Sequence, residues 1–259
     1  MSGKIAYFTT DGDPNRSLLL VHGDFSSGSG AWRRQVETLG SRLRLIVVDR
    51  RGHGKSPAGE APFTIAQDAG DLWEVLEAEG ACPAHVAGHS YGALVALELA
   101  CAHPEAVRSL HLIEPPYLSL ALDHPAVAAL AAATLKLKAS DLSDEELTDA
   151  FFRLVLGDEA AEALKAKPAW EGLLRDAGRF RREEFAGDYP AGALRRLPSN
   201  LPVALYSGGR SHPGLQEVAR RLASLLPGAR YHFFPEAGHD VQRSGEPFEA
   251  ALLAALRGA

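Results

Sequence analysis

The chain alternates between short, continuous apolar runs and longer stretches in which apolar residues recur every three or four positions. "KIAYFTT" predicts an edge strand. "SLLLVHG" and "LRLIVVDRRGHG" predict buried strands, with a helix near Trp32 to Leu39 between them. In "TIAQDAGDLWEVLEAEG", Ile65, Leu72, Val75 and Leu76 share one helical face. Strand "AHVAGHS", helix "GALVALELACAHPEA" and strand "VRSLHLIEPP" come next. After a long interruption, strand "PVALYSGG", helix "GLQEVARRLASLLPG", strand "ARYHFFPEAGHD" and helix "EPFEAALLAALRGA" close the chain. Strands that are apolar on both faces and alternate with helices predict an α/β fold, a doubly wound, mostly parallel sheet covered on both sides. Such a sheet places its sites at the carboxyl ends of the strands.

Residues 117–197 interrupt the alternation and read as helices only. "AVAALAAATLKLK" opens the stretch. "LSDEELTDAFFRLVLGD" follows with a capping box, Ser143 as N-cap and Glu146 three residues on, and with Leu142 and Leu147 spaced for a hydrophobic staple. Pro168 opens a third predicted helix, "AWEGLLRDAGRFRREEF". The expected organisation is a core of residues 1–116 and 198–259 with a helical cap, residues 117–197, inserted over the strand ends.

Composition narrows the partners rather than the fold. At 259 residues, 46% hydrophobic and 23% charged, the chain reads as an ordinary globular protein. A net charge of -6 offers no footprint for nucleic acid or an anionic membrane. No apolar run approaches the roughly 18 residues of a membrane span. "MSGKIAYFTTDGD" has no apolar signal segment, so a cytoplasmic location is expected. Cys82 and Cys101 have neither metal-type nor disulfide-type spacing and are expected as buried or semi-buried free thiols. The expected partner is a small-molecule substrate, and the pattern does not choose between monomer and homo-oligomer.

The chemistry concentrates in "GHSYGA", where G-x-S-x-G lies between an apolar strand and an apolar helix. A serine on so sharp a turn needs neighbours without bulk, which Gly88 and Gly92 supply. The turn displays Ser90 at the positive N-terminal end of the following helix, where a developing oxyanion is favoured. With this motif go "LLLVHGDFSSGSGAW", "VVDRRGHGKS" and "EAGHD", and in this order the chain resembles the α/β-hydrolases, in their cap-bearing serine-hydrolase branch. The three stretches resemble the family's His-Gly oxyanion loop after its third strand, its Asp-x-Arg-Gly-His-Gly turn after the fourth, and its late histidine loop.

The resemblance implies Ser90 as nucleophile, His239 as base, and the backbone N–H groups of Tyr91 and Asp24 as an oxyanion hole, with Phe25 beside it. Asp24 is a departure: a carboxylate there opposes developing negative charge unless it points away. The other histidines read as structural. His22 and His53 belong to turns, His89 to the pocket wall, and His212 lies in the turn after the seventh strand, within reach of the site.

The acid is the second departure. In most of the family it is an aspartate three residues after the glycine that ends the seventh strand. Counted from Gly208, that position is Ser211. The family's other location follows the sixth strand, and here "VRSLHLIEPPY" ends at Glu114 before two prolines. Glu114 is therefore the expected acid, with Asp240 as rival and a Ser-His dyad held by Ser211 or water as the remaining option.

The resemblance implies acyl transfer through an acyl-enzyme, on an ester or thioester of a small, partly apolar substrate, without cofactor or metal. A carbon–carbon bond hydrolase of the ring-cleavage-product type uses the same residues. A non-catalytic ligand receptor on the same fold is the alternative from another class. Serine at the elbow argues against the alkyl-aspartate chemistry of epoxide hydrolases and haloalkane dehalogenases. Among the cap aromatics, Tyr117 and Trp170 are the candidate pocket residues, although at helical spacing such residues more often pack with one another.

Overall fold

The computed structural model describes residues 4–61 and 63–258. Residues 1–3, Pro62 and Ala259, the last of which falls in the predicted closing helix, lie outside them. Seven strands, β1 (Tyr7–Thr9), β2 (Ser17–Val21), β3 (Arg44–Val48), β4 (Ala84–His89), β5 (Val107–Ile113), β6 (Val203–Gly208) and β7 (Arg230–Phe234), form one sheet in the order β1-β3-β2-β4-β5-β6-β7. Only the edge strand β1 is antiparallel, pairing with β3. All other pairings are parallel. The strands that the family counts as third, fourth, sixth and seventh are β2, β3, β5 and β6 here.

Eleven helices accompany the described strands: α1 (Gly28–Ala31), α2 (Arg33–Leu39), α3 (Ile65–Ala78), α4 (Tyr91–Ala102), α5 (Pro125–Lys138), α6 (Asp144–Leu156), α7 (Asp158–Lys165), α8 (Trp170–Leu174), α9 (Ala177–Arg182), α10 (Pro213–Leu225) and α11 (Glu246–Arg257). The period-two alternation of the strands sorts their side chains between two apolar layers. Leu19, Val21, Ile46, Val48, Val86, Leu110, Leu112 and Leu205 pack with α3, α4 and α10. Leu18, Leu20, Leu45, Val47, Ala87, Ile113, Ala204 and Tyr206 pack with Trp32 and Leu39 and with Phe248 and Leu252 of α11. β2, β4 and β6 are buried along their whole length, so neither face of the sheet's centre is left to water, while the edge strands β1 and β7 are partly exposed. No described helix is long and apolar enough to cross a membrane.

Helices α5 to α9 lie between β5 and β6 in the chain. The start of α6 follows from its capping box. The N–H of Glu146 donates to Ser143 Oγ at 3.3 Å, and the Ser143 N–H donates back to Glu146 Oε2 at 2.8 Å. Leu147, Phe151 and Val155, one turn apart, turn its apolar stripe onto Phe25, Trp170, Ala177 and Phe180 in a third cluster, with Leu142 against it.

The third helix expected from Pro168 onward forms instead as two short ones, α8 and α9, and α7 precedes them. The break falls at Asp176, whose carboxylate lies 3.1 Å from His53 Nδ1, and Gly172 and Gly178 weaken the helix on either side. A second difference concerns the thiols. Cys101 is buried, as expected, but Cys82 is exposed, because it stands in the loop before β4 rather than under a helix.

Candidate active site

Ser90 is the single residue between β4 and α4, with φ 53° and ψ -128°. A non-glycine residue rarely adopts this backbone, so the surroundings must enforce it. The enforcement is close packing. A Cβ on Gly88 would collide with the carbonyl of Gly92, and a Cβ on Gly92 would collide with the carbonyl of His22. The Ser90 N–H donates to the Ile113 carbonyl at 2.9 Å and ties the turn to β5. Tyr91, next in the chain, is the first residue of α4, where backbone N–H groups have no partner within the helix.

Glu114 is fully buried where β5 ends, and its φ of 49° turns the chain out of the sheet before the two prolines. Its N–H still donates to the Tyr206 carbonyl at 3.0 Å. Its carboxylate is fixed from both sides. Oε1 accepts from Ser207 Oγ and from the Gly208 N–H, both at 2.8 Å. Oε2 accepts from Ser211 Oγ and lies 3.4 Å from Nδ1 of His239. Asp240 faces elsewhere, 3.8 Å from His89 Nε2 and 3.8 Å from Arg243 Nε.

His89 packs its ring 4.7 Å from that of His239, and its Nε2–H donates to the His239 carbonyl at 3.1 Å. Burial and then the neighbouring His239 lower the His89 pKa to about 4, so it serves as a neutral donor in the wall. His22 is likewise structural. Its Nδ1–H donates to the Gly23 carbonyl at 2.7 Å, and its Nε2 accepts from the Arg50 N–H at 2.9 Å.

Arg50 ties these loops together. Its guanidinium is fully buried. Nη2 donates to Asp24 Oδ1 at 2.6 Å and to His53 Nε2 at 3.2 Å, while Nη1 donates to Asp68 Oδ2 at 3.0 Å. The same guanidinium lies 4.6 Å from the ring centroid of Tyr91. One cation thus touches the side chains of both residues expected to supply the oxyanion-hole N–H groups. Burial opposes its charge, but Asp24, Asp68 and Glu183 outweigh it and raise the Arg50 pKa. Arg179 of α9 extends the network, with Nη2 donating to Asp68 Oδ2 at 3.0 Å and Nη1 lying 3.4 Å from Glu183 Oε2.

Donor atoms of Asp24, His53 and Glu183 come within 4.8 Å of one another, a spacing compatible with a metal ion. The guanidinium of Arg50 already stands among them, bonded to Asp24 and His53 and 3.8 Å from Glu183 Oε2. The positive charge that a metal would bring is supplied by the chain itself.

Ser90 and His239 lie where two cavities meet, since both line each of them, together with Asp24, Phe151 and Val155. One is small, about 50 Å³, and mainly apolar, with Leu118, Leu130, Phe180, Phe185 and Leu215 in its walls. The other is about 600 Å³ and more polar, with Lys167, Arg175, Asp176 and Arg243 in its lining. Burial raises the Asp176 carboxyl to about 7.

Of the expected pocket residues, Phe25 lines the larger cavity. Three others line neither. Tyr117 is buried, and its hydroxyl donates to the Pro190 carbonyl at 2.5 Å. Trp170 packs against Phe152 inside the apolar cluster of the inserted helices. His212 caps α10, its Nδ1 accepting from the Gly214 N–H at 3.0 Å. In each case a local structural partner has taken the side chain. Asp24 borders both cavities, and its carboxylate is bound by the buried Arg50 guanidinium. Arg50, Lys138 and Glu183 carried no functional signal in the sequence. Tandem arginines in "VVDRRGHG" look like part of a turn, and their depth is set by residues far away in the chain.

A parallel sheet with a strained serine elbow and a buried His–Glu pair at its carboxyl edge defines the class. Residues 16–245 match the family model described as alpha/beta hydrolase fold, and the chain belongs to that family. Among proteins it resembles individually, the pimeloyl-[acyl-carrier protein] methyl ester esterase of Chromobacterium violaceum is 30% identical over 237 residues, 86% of each chain. The RutD protein of Azorhizobium caulinodans is 41% identical over 95 residues, which span only 37% of this chain and 36% of that one. A crystal structure of a hydrolase from Pseudomonas aeruginosa superposes with a TM-score of 0.74 at 25% identity, covering 98% of this chain and 94% of that one.

Proposed function

We propose that the protein is a serine hydrolase that cleaves an ester or thioester through an acyl-enzyme. The observation that carries this reading is the meeting of Ser90, on its strained elbow, with His239 at the junction of two cavities, while Glu114 backs the imidazole from a buried site. The esterase relative supports the bond class, and its substrate is its own.

In this mechanism Ser90 Oγ attacks the carbonyl carbon as His239 Nε2 takes its proton. The Nδ1–H of His239 points to Glu114, which fixes the tautomer and stabilises the imidazolium. The N–H groups of Asp24 and Tyr91 receive the oxyanion of the tetrahedral intermediate, and Arg50 offsets the Asp24 charge beside it. Collapse breaks the bond to the alcohol or thiol, which leaves with the proton from His239. Water then repeats the sequence on the acyl-enzyme, and Ser90 recovers its proton.

A fluorophosphonate probe tests the reading directly. The expected result is labelling of the wild type at Ser90 and none of Ser90→Ala. A folded wild type that stays unlabelled would overturn the proposal in favour of a ligand receptor.

A further inference from the structure

The two cavities that meet at Ser90 differ in size and in the residues that wall them. None of the residues lining the small one is exposed, whereas Gly30, Lys167, Ala169, Arg175 and Arg243 around the large one are. In an acyl-enzyme the leaving group must depart while the acyl group stays bonded. The small cavity, walled by buried or half-buried and mainly apolar residues, suits the part that stays, and the larger one, bordered by exposed polar residues, suits the part that leaves.

The small chamber is apolar except at a few points, and two of those are unusual. Glu183 has a side chain only 1% exposed, and its Oε2 accepts no hydrogen bond, with Arg179 Nη1 at 3.4 Å and Arg50 Nη1 at 3.8 Å as its ionic neighbours. Lys138 donates from Nζ to the Phe180 carbonyl and lies 4.5 Å from the Phe180 ring centroid. Among the described residues no carboxylate forms an ion pair with it. Burial lowers the Lys138 pKa and, together with Asp24, raises that of Glu183. Both residues line the chamber that also contains Ser90 and His239.

An unfilled acceptor and an ammonium with donors to spare call for a group that both donates and accepts. A carboxylate would face Glu183 and Asp24, and an ammonium would face Lys138. A hydroxyl meets both requirements without charge, giving its proton to the Glu183 carboxylate and accepting from Lys138 Nζ. A volume of about 50 Å³ holds the equivalent of roughly three to five water molecules, which limits the chain to a few heavy atoms beyond the carbonyl.

We infer that the small chamber is an acyl subsite for a short chain bearing a hydroxyl, which Glu183 and Lys138 bind. The inference rests on the acyl-enzyme reading and adds its substrate class.

The test compares p-nitrophenyl esters of butyrate, 3-hydroxybutyrate (each enantiomer), 3-methoxybutyrate and octanoate, which share one leaving group. For the wild type, one enantiomer of the hydroxy ester should exceed butyrate in kcat/KM by about tenfold, the scale of one buried hydrogen bond to a charged group. The methoxy and octanoyl esters should fall below butyrate. In Lys138→Met the hydroxy-to-butyrate ratio should drop towards one, whatever the absolute rates. A wild-type ratio near one, an octanoate rate equal to butyrate, or a ratio unchanged in Lys138→Met would each overturn the subsite. Fluorophosphonate labelling in parallel separates the two failures. Labelled protein that ignores the hydroxy ester refutes the subsite alone, and unlabelled protein refutes the acyl-enzyme reading itself.

Discussion

The hydroxyl of Ser211 donates to the carboxylate of Glu114, from the very position where most of the family carries its acid. In the proposed mechanism the role falls to the neighbouring strand, and Ser211 supports the carboxylate that takes it. With Ser207 Oγ and the Gly208 N–H, Ser211 holds a carboxylate that has no contact with water and leaves Oε2 facing His239. Glu114→Gln removes the charge and can reverse the tautomer, a change that costs turnover by about 10⁴ in a well-formed triad. The expected loss on a p-nitrophenyl ester is therefore thousands-fold, against about tenfold for Ser211→Ala. Because Ser211 and His239 both meet Glu114 Oε2, Glu114→Gln/Ser211→Asp should regain at least tenfold over Glu114→Gln. A double variant as slow as the single would mean that Ser211 cannot hand a charge to His239.

Arg50 and Asp24 give a second coupled pair. A lone carboxylate beside the oxyanion would raise the barrier, and the guanidinium at 2.6 Å cancels it. Arg50→Met leaves Asp24, Asp68 and Glu183 buried without their shared cation, so it should lower the melting temperature sharply, since breaking a buried pair costs about 3–5 kcal/mol. In the folded fraction kcat should drop about 100-fold, the scale of one oxyanion-hole donor. Adding Asp24→Asn removes the uncompensated charge and should recover part of kcat without restoring the melting temperature to that of the wild type. If kcat does not rise in the double variant, Arg50 serves folding alone.

These two pairs mark where the sequence was legible. Strand and helix order and the elbow are local patterns, readable because periodicity and glycine spacing act over a few residues, whereas the late histidine was expected from the resemblance. Glu114 was expected from the resemblance, which offers the end of β5 when Ser211 stands in the usual place, and its Oε2 lies 3.4 Å from His239 Nδ1. Nothing local announces that Ser211 would bond to Glu114 or that Arg50 would meet Asp24 and Tyr91, because those contacts are 97, 26 and 41 residues apart in the chain. Tyr117 and Trp170 line neither cavity for a related reason. At helical spacing Trp170 satisfies its own cluster before it reaches a pocket.

Away from the site, the base of the sheet holds a chain of buried polar groups, His85 Nδ1 to Ser109 Oγ at 2.6 Å, Ser109 Oγ to His111 Nε2 at 2.8 Å, and His111 Nδ1 to Tyr206 OH at 3.0 Å. Burial depresses His85 to about 4 and His111 to about 3, and His89 also lies at about 4, against 6.5 for a free histidine. Below pH 6.5 the unfolded chain binds protons at these three positions that the folded chain refuses. Stability is thus full above pH 6.5 and is lost as the pH falls towards 4. Asp176, raised from 3.8 to about 7, acts in the opposite sense, with a contribution that is full below 3.8 and lost as the pH rises through 7. Burial raises Asp71 and Glu183 in the same sense as Asp176, but it also lowers His22, His53, His212 and His232, so the histidines set the sign. The melting temperature should fall from pH 7 to pH 5, and His111→Gln should show a shallower dependence. A melting temperature that rises towards pH 5 would contradict the assignment of neutral buried histidines.

Two glycines of the same chain should respond to alanine in opposite ways. Gly70 lies inside α3 with no atom within 4 Å of a would-be Cβ, so its only effect is the entropy it adds to the unfolded chain. Gly70→Ala should stabilise the protein by about 0.5–1 kcal/mol. Gly92 is also helical, in the first turn of α4, but there a Cβ would collide with the carbonyls of Val21 and His22. These are backbone atoms of β2 and its loop and have little room to move, since overpacking already costs about 1–3 kcal/mol where side chains can yield. Gly92→Ala should therefore lose stability by at least that much and, by pushing α4 away from the His22 loop, separate Tyr91 from Asp24. Thermal denaturation reads the first effect and fluorophosphonate labelling rate the second. A Gly92→Ala protein that melts and labels like the wild type would mean that the elbow tolerates a side chain where the packing leaves none.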